Sequence, residues 1–146
     1  MPELKCFFLD HDVDIDPDPK AYAEFFLNYQ SSKWQKGSGD GVFSYISDEG
    51  DKSELSVLEN KELGISVRYN IRIFGERTGA EFYSVGALNK LNVVKDFGDD
   101  QFVPEGSFLK PDVAWLAVED FLKNPRIKSG RITWMNSDDI SWPDSQ

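Results

Sequence analysis

This chain has one cysteine and one histidine among 146 residues, and 16 basic residues stand against 26 acidic ones. Each shortage removes a class of function. A lone Cys6 excludes an internal disulfide and a cysteine zinc cluster, and its place before Phe7, Phe8 and Leu9 marks a small buried residue. A lone His11 leaves any Ser-His-Asp relay a single base, and no serine is marked out to partner it. The apolar run in MPELKCFFLD is too short for a signal peptide, and nothing approaches transmembrane length, so the chain reads as cytoplasmic. A formal charge of −10 repels nucleic acid and anionic membranes and favours a basic partner, if any charged one. No G-x-S-x-G elbow, P-loop, H-E-x-x-H or C-x-x-C is present. Gly37-Ser38-Gly39-Asp40-Gly41 lacks the lysine and the strand-to-helix setting of a phosphate loop. The acid pairs Asp99-Asp100 and Asp138-Asp139 are what composition alone produces in so acidic a chain. The expectation is a non-enzyme with no cofactor, no metal and no small-molecule substrate.

What is present is enough to build one domain over residues 1–146: the composition is 40% hydrophobic and 14% aromatic. The most unusual stretch is LDHDVDIDPDP, residues 9–19, with an aspartate at every second position from Asp10 to Asp18. A calcium loop requires glycine at its sixth position and glutamate at its twelfth. Counting from Asp10 these are Ile15 and Ala21, and from Asp12 they are Pro17 and Ala23, so both registers fail. Asp16-Pro17-Asp18-Pro19 reads instead as a helix start, with Asp16 or Asp18 as the cap and Pro17 or Pro19 opening the first turn. Asp10, Asp12 and Asp14 are not explained by capping; in an extended segment they form a one-sided acidic edge.

The remainder alternates between two periods. Lys5 to Leu9 suggests a strand, and Tyr22, Phe25, Phe26 and Tyr29 fall at helical spacing as one aromatic face, ended by a loop at 37–41. Val42 to Ser47, a strand around Leu55 and Val57, Glu81 to Gly86, and Phe102-Val103 read as β. The clearest pattern is Ile65, Val67, Tyr69, Ile71 and Ile73 alternating with Ser66, Arg68, Asn70 and Arg72, a strand with one dry and one wet face. Pro111 to Lys123 reads as a second helix, with Ala114, Ala117, Val118, Phe121 and Leu122 inward, Asp112 at its positive end and Asn124-Pro125 as its stop. Ile132 to Met135 closes the chain as a strand. A run of strands between two helices predicts an α+β fold, a twisted, mainly antiparallel sheet with both helices on one face.

The second half resembles a known family. Phe82-Tyr83-Ser84-Val85-Gly86 is followed by Phe102-Val103-Pro104, the helix PDVAWLAVEDFLKN, a short basic loop and the strand RITW. That order is similar to the type 1 immunity proteins of bacterial polymorphic toxin systems, matching at Tyr83, Ser84, Gly86, Pro104, Phe121, Leu122 and Trp134 over roughly residues 55–135. The family's arginine-before-proline is inverted here, since Pro125 precedes Arg126, and the tail from Ser137 to Gln146 runs past the usual end. The resemblance implies a cytoplasmic inhibitor of a cognate secreted toxin, often a deaminase or nuclease, whose active site it blocks. A basic toxin cleft would accept an acidic protein as a phosphate mimic.

The matching residues are of core and turn type and identify a fold better than a binding surface. Binding candidates are the acidic segments: the turn Asp48, Glu49, Asp51, the loop Asp96, Asp99, Asp100, and Asp12 and Asp14, with Asp138, Asp139 and Trp142 as a further group. The first two segments lead, because loops at sheet ends are free to enter a cleft. Two other readings stay open: a non-enzymatic ligand- or peptide-binding α+β module, and a hydrolase using His11.

Overall fold

The alternation centred on Val67 becomes the middle of the sheet, and the other elements are arranged around it. The computed structural model describes residues 2–9, 12–37, 39–77, 79–97 and 102–142. Asp10, His11, Asp99 and Asp100 lie outside the described residues. The chain enters through strand β1 (Glu3–Phe8) and the short β2 (Asp14–Ile15), then helix α1 (Pro19–Leu27) and a one-turn helix α2 (Ser31–Gln35). Strands β3 (Asp40–Ile46), β4 (Lys52–Asn60), β5 (Gly64–Arg72) and β6 (Ala80–Ser84) follow as a meander. After a 3-10 turn come β7 (Val94–Asp96), β8 (Phe102–Pro104) and β9 (Phe108–Leu109), then α3 (Pro111–Lys123) and β10 (Trp134–Asn136). The main sheet has the order β10-β6-β5-β4-β3-β1-β2, every pair antiparallel, with β9 extending the β6 edge of β5. Strands β7 and β8 form a separate hairpin. This is the α+β architecture the sequence predicts.

Strand period decides which side is dry. Cys6, Phe8, Phe43, Leu55, Val57, Ile65, Val67 and Tyr69 all point to one face, where Phe26, Trp34, Ala114, Trp115, Val118 and Phe121 from the helices meet them. Aromatic rings dominate the junction: Phe8 lies 5.1 Å from Trp34 and 5.3 Å from Tyr22 between centroids, both edge-on. Asp18 is the cap of α1, accepting the Lys20 amide at 3.0 Å, and Pro19 opens the helix. Asn124 ends α3 where the sequence stops it.

Several local expectations are corrected. Tyr29 lies beyond α1, whose cap is Asn28; its ring still packs against the core, and its hydroxyl donates to Glu59. The loop expected over 37–41 is shorter: Asp40 and Gly41 are already in β3, a Cβ on Gly37 would stand 2.6 Å from the Leu9 carbonyl oxygen, and Ser38 lies outside the described residues. Ile73 falls outside β5 and is exposed, because the chain turns away after Arg72. The last strand starts at Trp134 rather than Ile132. Helix α2 was not foreseen, yet its Trp34 is fully buried and donates from Nε1 to the Phe25 carbonyl at 3.1 Å.

The family-type residues form one structural unit. Ser84 Oγ accepts the Val67 amide at 3.1 Å and donates to the Ser107 carbonyl at 2.6 Å; Ser107 Oγ donates to the Pro104 carbonyl at 2.7 Å. Gly86 fits because a Cβ there would come within 1.9 Å of the Phe108 carbonyl oxygen. Pro104 and Phe121 are buried, Leu122 is half-buried, and Trp134 donates from its indole to the Ser129 carbonyl at 2.8 Å. These residues stitch β6 to the 104–109 turn and to the core.

Candidate functional site

All three helices cover the same side of the sheet, so the other side is the surface available for binding. Register places Phe7, Val42, Ser56, Arg68 and Tyr83 on one rung across five strands of this open face. The next rung carries Asp40, Leu58, Ser66 and Phe108. The hairpin β7–β8 rises beside them, and Phe102 and Val103 wall off a cleft of about 470 Å³ over the two rungs. That volume is within the range of small-molecule sites. Leu91, Phe108 and Ile140 are buried, and Trp142 packs on Tyr83 of β6 at 5.4 Å between ring centroids.

Within the cleft Arg68 is the main charged group. Its Nε is buried without a hydrogen-bond partner among the described residues. Among the described residues its Nη2 makes only a long bond to Ser56 Oγ at 3.4 Å, and its Nη1 stands 3.8 Å from Glu81 Oε2, an ion pair outside hydrogen-bond range. Burial pushes the neighbouring Tyr83 hydroxyl up from its ordinary pKa, Glu81 adds to this, and Arg68 pulls against both. Further along the sheet lie two other hollows, one of about 390 Å³ between Glu54, Asn70 and Glu81 and one of about 610 Å³ beside Phe74. Toward the β2 edge the face exposes apolar side chains beside the Lys5–Glu3 ion pair at 2.8 Å: Phe7 is 51% exposed, Ile15 59% and Ile46 36%.

The acidic candidates are not gathered into one site. The turn 48–51 sits at the Ile46 end of the β3–β4 hairpin, six strand residues from Asp40. At about 3.3 Å per residue that is roughly 20 Å from the cleft. Glu49 and Asp51 already face a cation: Arg126 Nη2 lies 2.7 Å from Glu49 Oε1 and 3.4 Å from Asp51 Oδ2, and Asp51 also accepts the Phe74 amide at 2.8 Å. Asp48 is exposed beside them. Asp96 pairs with Phe102 on the hairpin at the cleft's edge. The one-sided aspartate edge is corrected. Asp14 is half-buried and accepts the Tyr22 hydroxyl at 2.6 Å, Asp16 turns the chain at a φ of 53°, and Asp18 caps α1; Asp12 is left exposed. Asp138 and Asp139 are exposed in the 3-10 turn before Trp142.

The cleft was missed in the sequence because it needs side chains from four strands and a separate hairpin. The wet half of the β5 alternation, with Arg68 at its centre, was the available signal. Comparison with family models, with curated proteins and with solved structures finds no match. Among the described residues no group of three or more His, Cys, Asp and Glu could hold a metal, and no helix is long and apolar enough to cross a membrane.

Proposed function

We propose that this protein is an immunity protein that binds a basic, secreted bacterial toxin domain in the cytoplasm and neutralises it, with the open sheet face as the docking surface. The observation that carries the reading is the one-sided helix layer. It leaves an antiparallel sheet whose outer face carries exposed Phe7, Ile15, Ile46 and Phe102 where a solvated face would be polar. Glu3, Asp40, Glu54 and Glu81 are interspersed with these side chains, and so are Lys5, Lys52, Arg68 and Arg72; the negative sign is that of the whole chain, which carries −10. An apolar centre with charged surroundings is the usual anatomy of a specific interface, and the sign suits a partner that grips nucleic acid. Long-range attraction would speed encounter, while the buried aromatic contacts would hold the complex. The type 1 immunity resemblance supports the same reading. The 48–51 turn lies at the far end of the β3–β4 hairpin and Asp96 lies at the cleft's edge, and both would meet the rim of the partner. The test is coexpression with the toxin domain encoded by the adjacent gene. Rescue of growth and a one-to-one complex on copurification are expected; continued killing at equal expression refutes the proposal.

A further inference from the structure

A buried guanidinium nitrogen without a partner, set in a cleft, calls for a ligand. Arg68 presents a planar fork of donors, and among the described residues its Nε has no partner, while Nη2 has only the 3.4 Å bond to Ser56. Such a fork matches two oxygens of a planar oxyanion, and the Arg68 side chain is 40% exposed to the cleft side of the sheet. Serine and tyrosine flank it on the same rung, since Ser56 and Tyr83 are the register partners of Arg68 on either side. The rest of the lining narrows the class. Val42, Leu58, Phe102 and Val103 give apolar walls, which favour a carbon body behind the charge. Asp40 in the same cleft, and Glu81 at 3.8 Å from Arg68, disfavour a dianion such as phosphate more than a monoanion.

We infer that the cleft is a receptor for an organic monocarboxylate, whose carboxylate meets the guanidinium of Arg68 while its carbon chain lies against Leu58 and Phe102. The site goes beyond toxin binding and does not depend on it, since the protein alone can be tested.

The experiment is a titration of the full chain with sodium hexanoate, followed by amide and arginine Nε–H resonances. A saturable downfield shift of the Arg68 Nε–H is expected, with shifts at the Ser66 and Tyr83 amides and a dissociation constant of roughly millimolar order for so small a probe. Hexanol, which keeps the chain and drops the charge, leaves the Arg68 resonance in place. Arg68→Lys weakens binding about tenfold or more by removing the fork. Leu58→Trp, which fills the cleft and leaves the arginine intact, abolishes saturation at an unchanged melting temperature. No saturable shift at Arg68 by about 50 mM hexanoate overturns the assignment. Equal binding by Leu58→Trp, or tighter binding of inorganic phosphate than of hexanoate, overturns it too. Any of these results leaves complex formation with a toxin untouched.

Discussion

Glu59 offers the sharpest test of how the helices are held to the sheet. It occupies an inward position of β4, 6% exposed, in the series Ser53, Leu55, Val57, Glu59. Its carboxylate is supported by donors from the α1–α2 segment. Gln35 Nε2 donates to Oε1 at 2.8 Å, while Ser31 Oγ at 2.5 Å and the Tyr29 hydroxyl donate to Oε2. Hydrogen bonds to a charged acceptor contribute more than neutral ones, but Ser31 and Gln35 are accessible enough to regain water. Taking about 1 kcal/mol net for each of the three, Glu59→Ala should lose about 2–4 kcal/mol. Glu59→Gln keeps the volume and one oxygen and should lose about 1–2 kcal/mol. Because the donors share one acceptor, Tyr29→Phe should cost about 1–1.5 kcal/mol in the parent and under about 0.5 kcal/mol in Glu59→Ala. Urea unfolding with an unchanged denaturant slope is the assay, since the slope reports that surface exposure on unfolding is the same. A loss under about 0.5 kcal/mol for Glu59→Ala, or strict additivity with Tyr29→Phe, refutes the idea of a latch.

Other perturbations have equally definite outcomes. Burial pushes the Cys6 thiol up to about 12, so a thiol reagent at pH 8 should label the native protein far more slowly than the urea-unfolded chain; equal rates would contradict the packing. Hydrogen bonding to Arg131 holds the Asp120 carboxyl below its ordinary pKa, against the opposing effect of burial. Its stabilising contribution is then fully present above the unfolded value, near about 3.9, and is lost as pH falls through the lower folded value. Asp120→Asn should flatten that part of the stability curve below about pH 4, and an unchanged acid limb would count against the pair. Gly86→Ala, with its Cβ 1.9 Å from the Phe108 oxygen, should destabilise by about 2 kcal/mol or more, read as a lowered denaturation midpoint.

Much of the architecture is legible because it rests on local signals. The period-two pattern of 65–72, the Asp18-Pro19 cap and the inward stripe of 114–121 each fix an element from neighbouring residues alone. Helix α2 escaped because five residues with one tryptophan show no period, although that tryptophan is central to the core. Glu59 was readable in principle: a glutamate in line with Leu55 and Val57 breaks the dry side of a strand and asks for donors. The acidic segments misled in part because charge at the sequence level does not reveal prior partners. Asp14 is held by Tyr22 and Glu49 by Arg126, both brought near by the tertiary fold. The cleft is a matter of register, which sets Ser56, Arg68 and Tyr83 side by side across three strands and cannot be read from any one of them.

The central claim is that the open face receives a basic toxin domain, and one affinity comparison tests it most directly. The purified product of the adjacent gene is titrated with the parent protein, with Phe7→Asp on the open face and with Leu27→Asp on an exposed helix position. Both variants add the same negative charge, which long-range attraction to a basic partner would favour, so a selective loss reports on buried apolar contact. The account predicts a one-to-one complex that Phe7→Asp weakens by about 30-fold or more, a hot-spot loss of about 2 kcal/mol, while Leu27→Asp stays within about threefold of the parent. Equal affinity for the parent and Phe7→Asp, or weakening by Leu27→Asp alone, would contradict it.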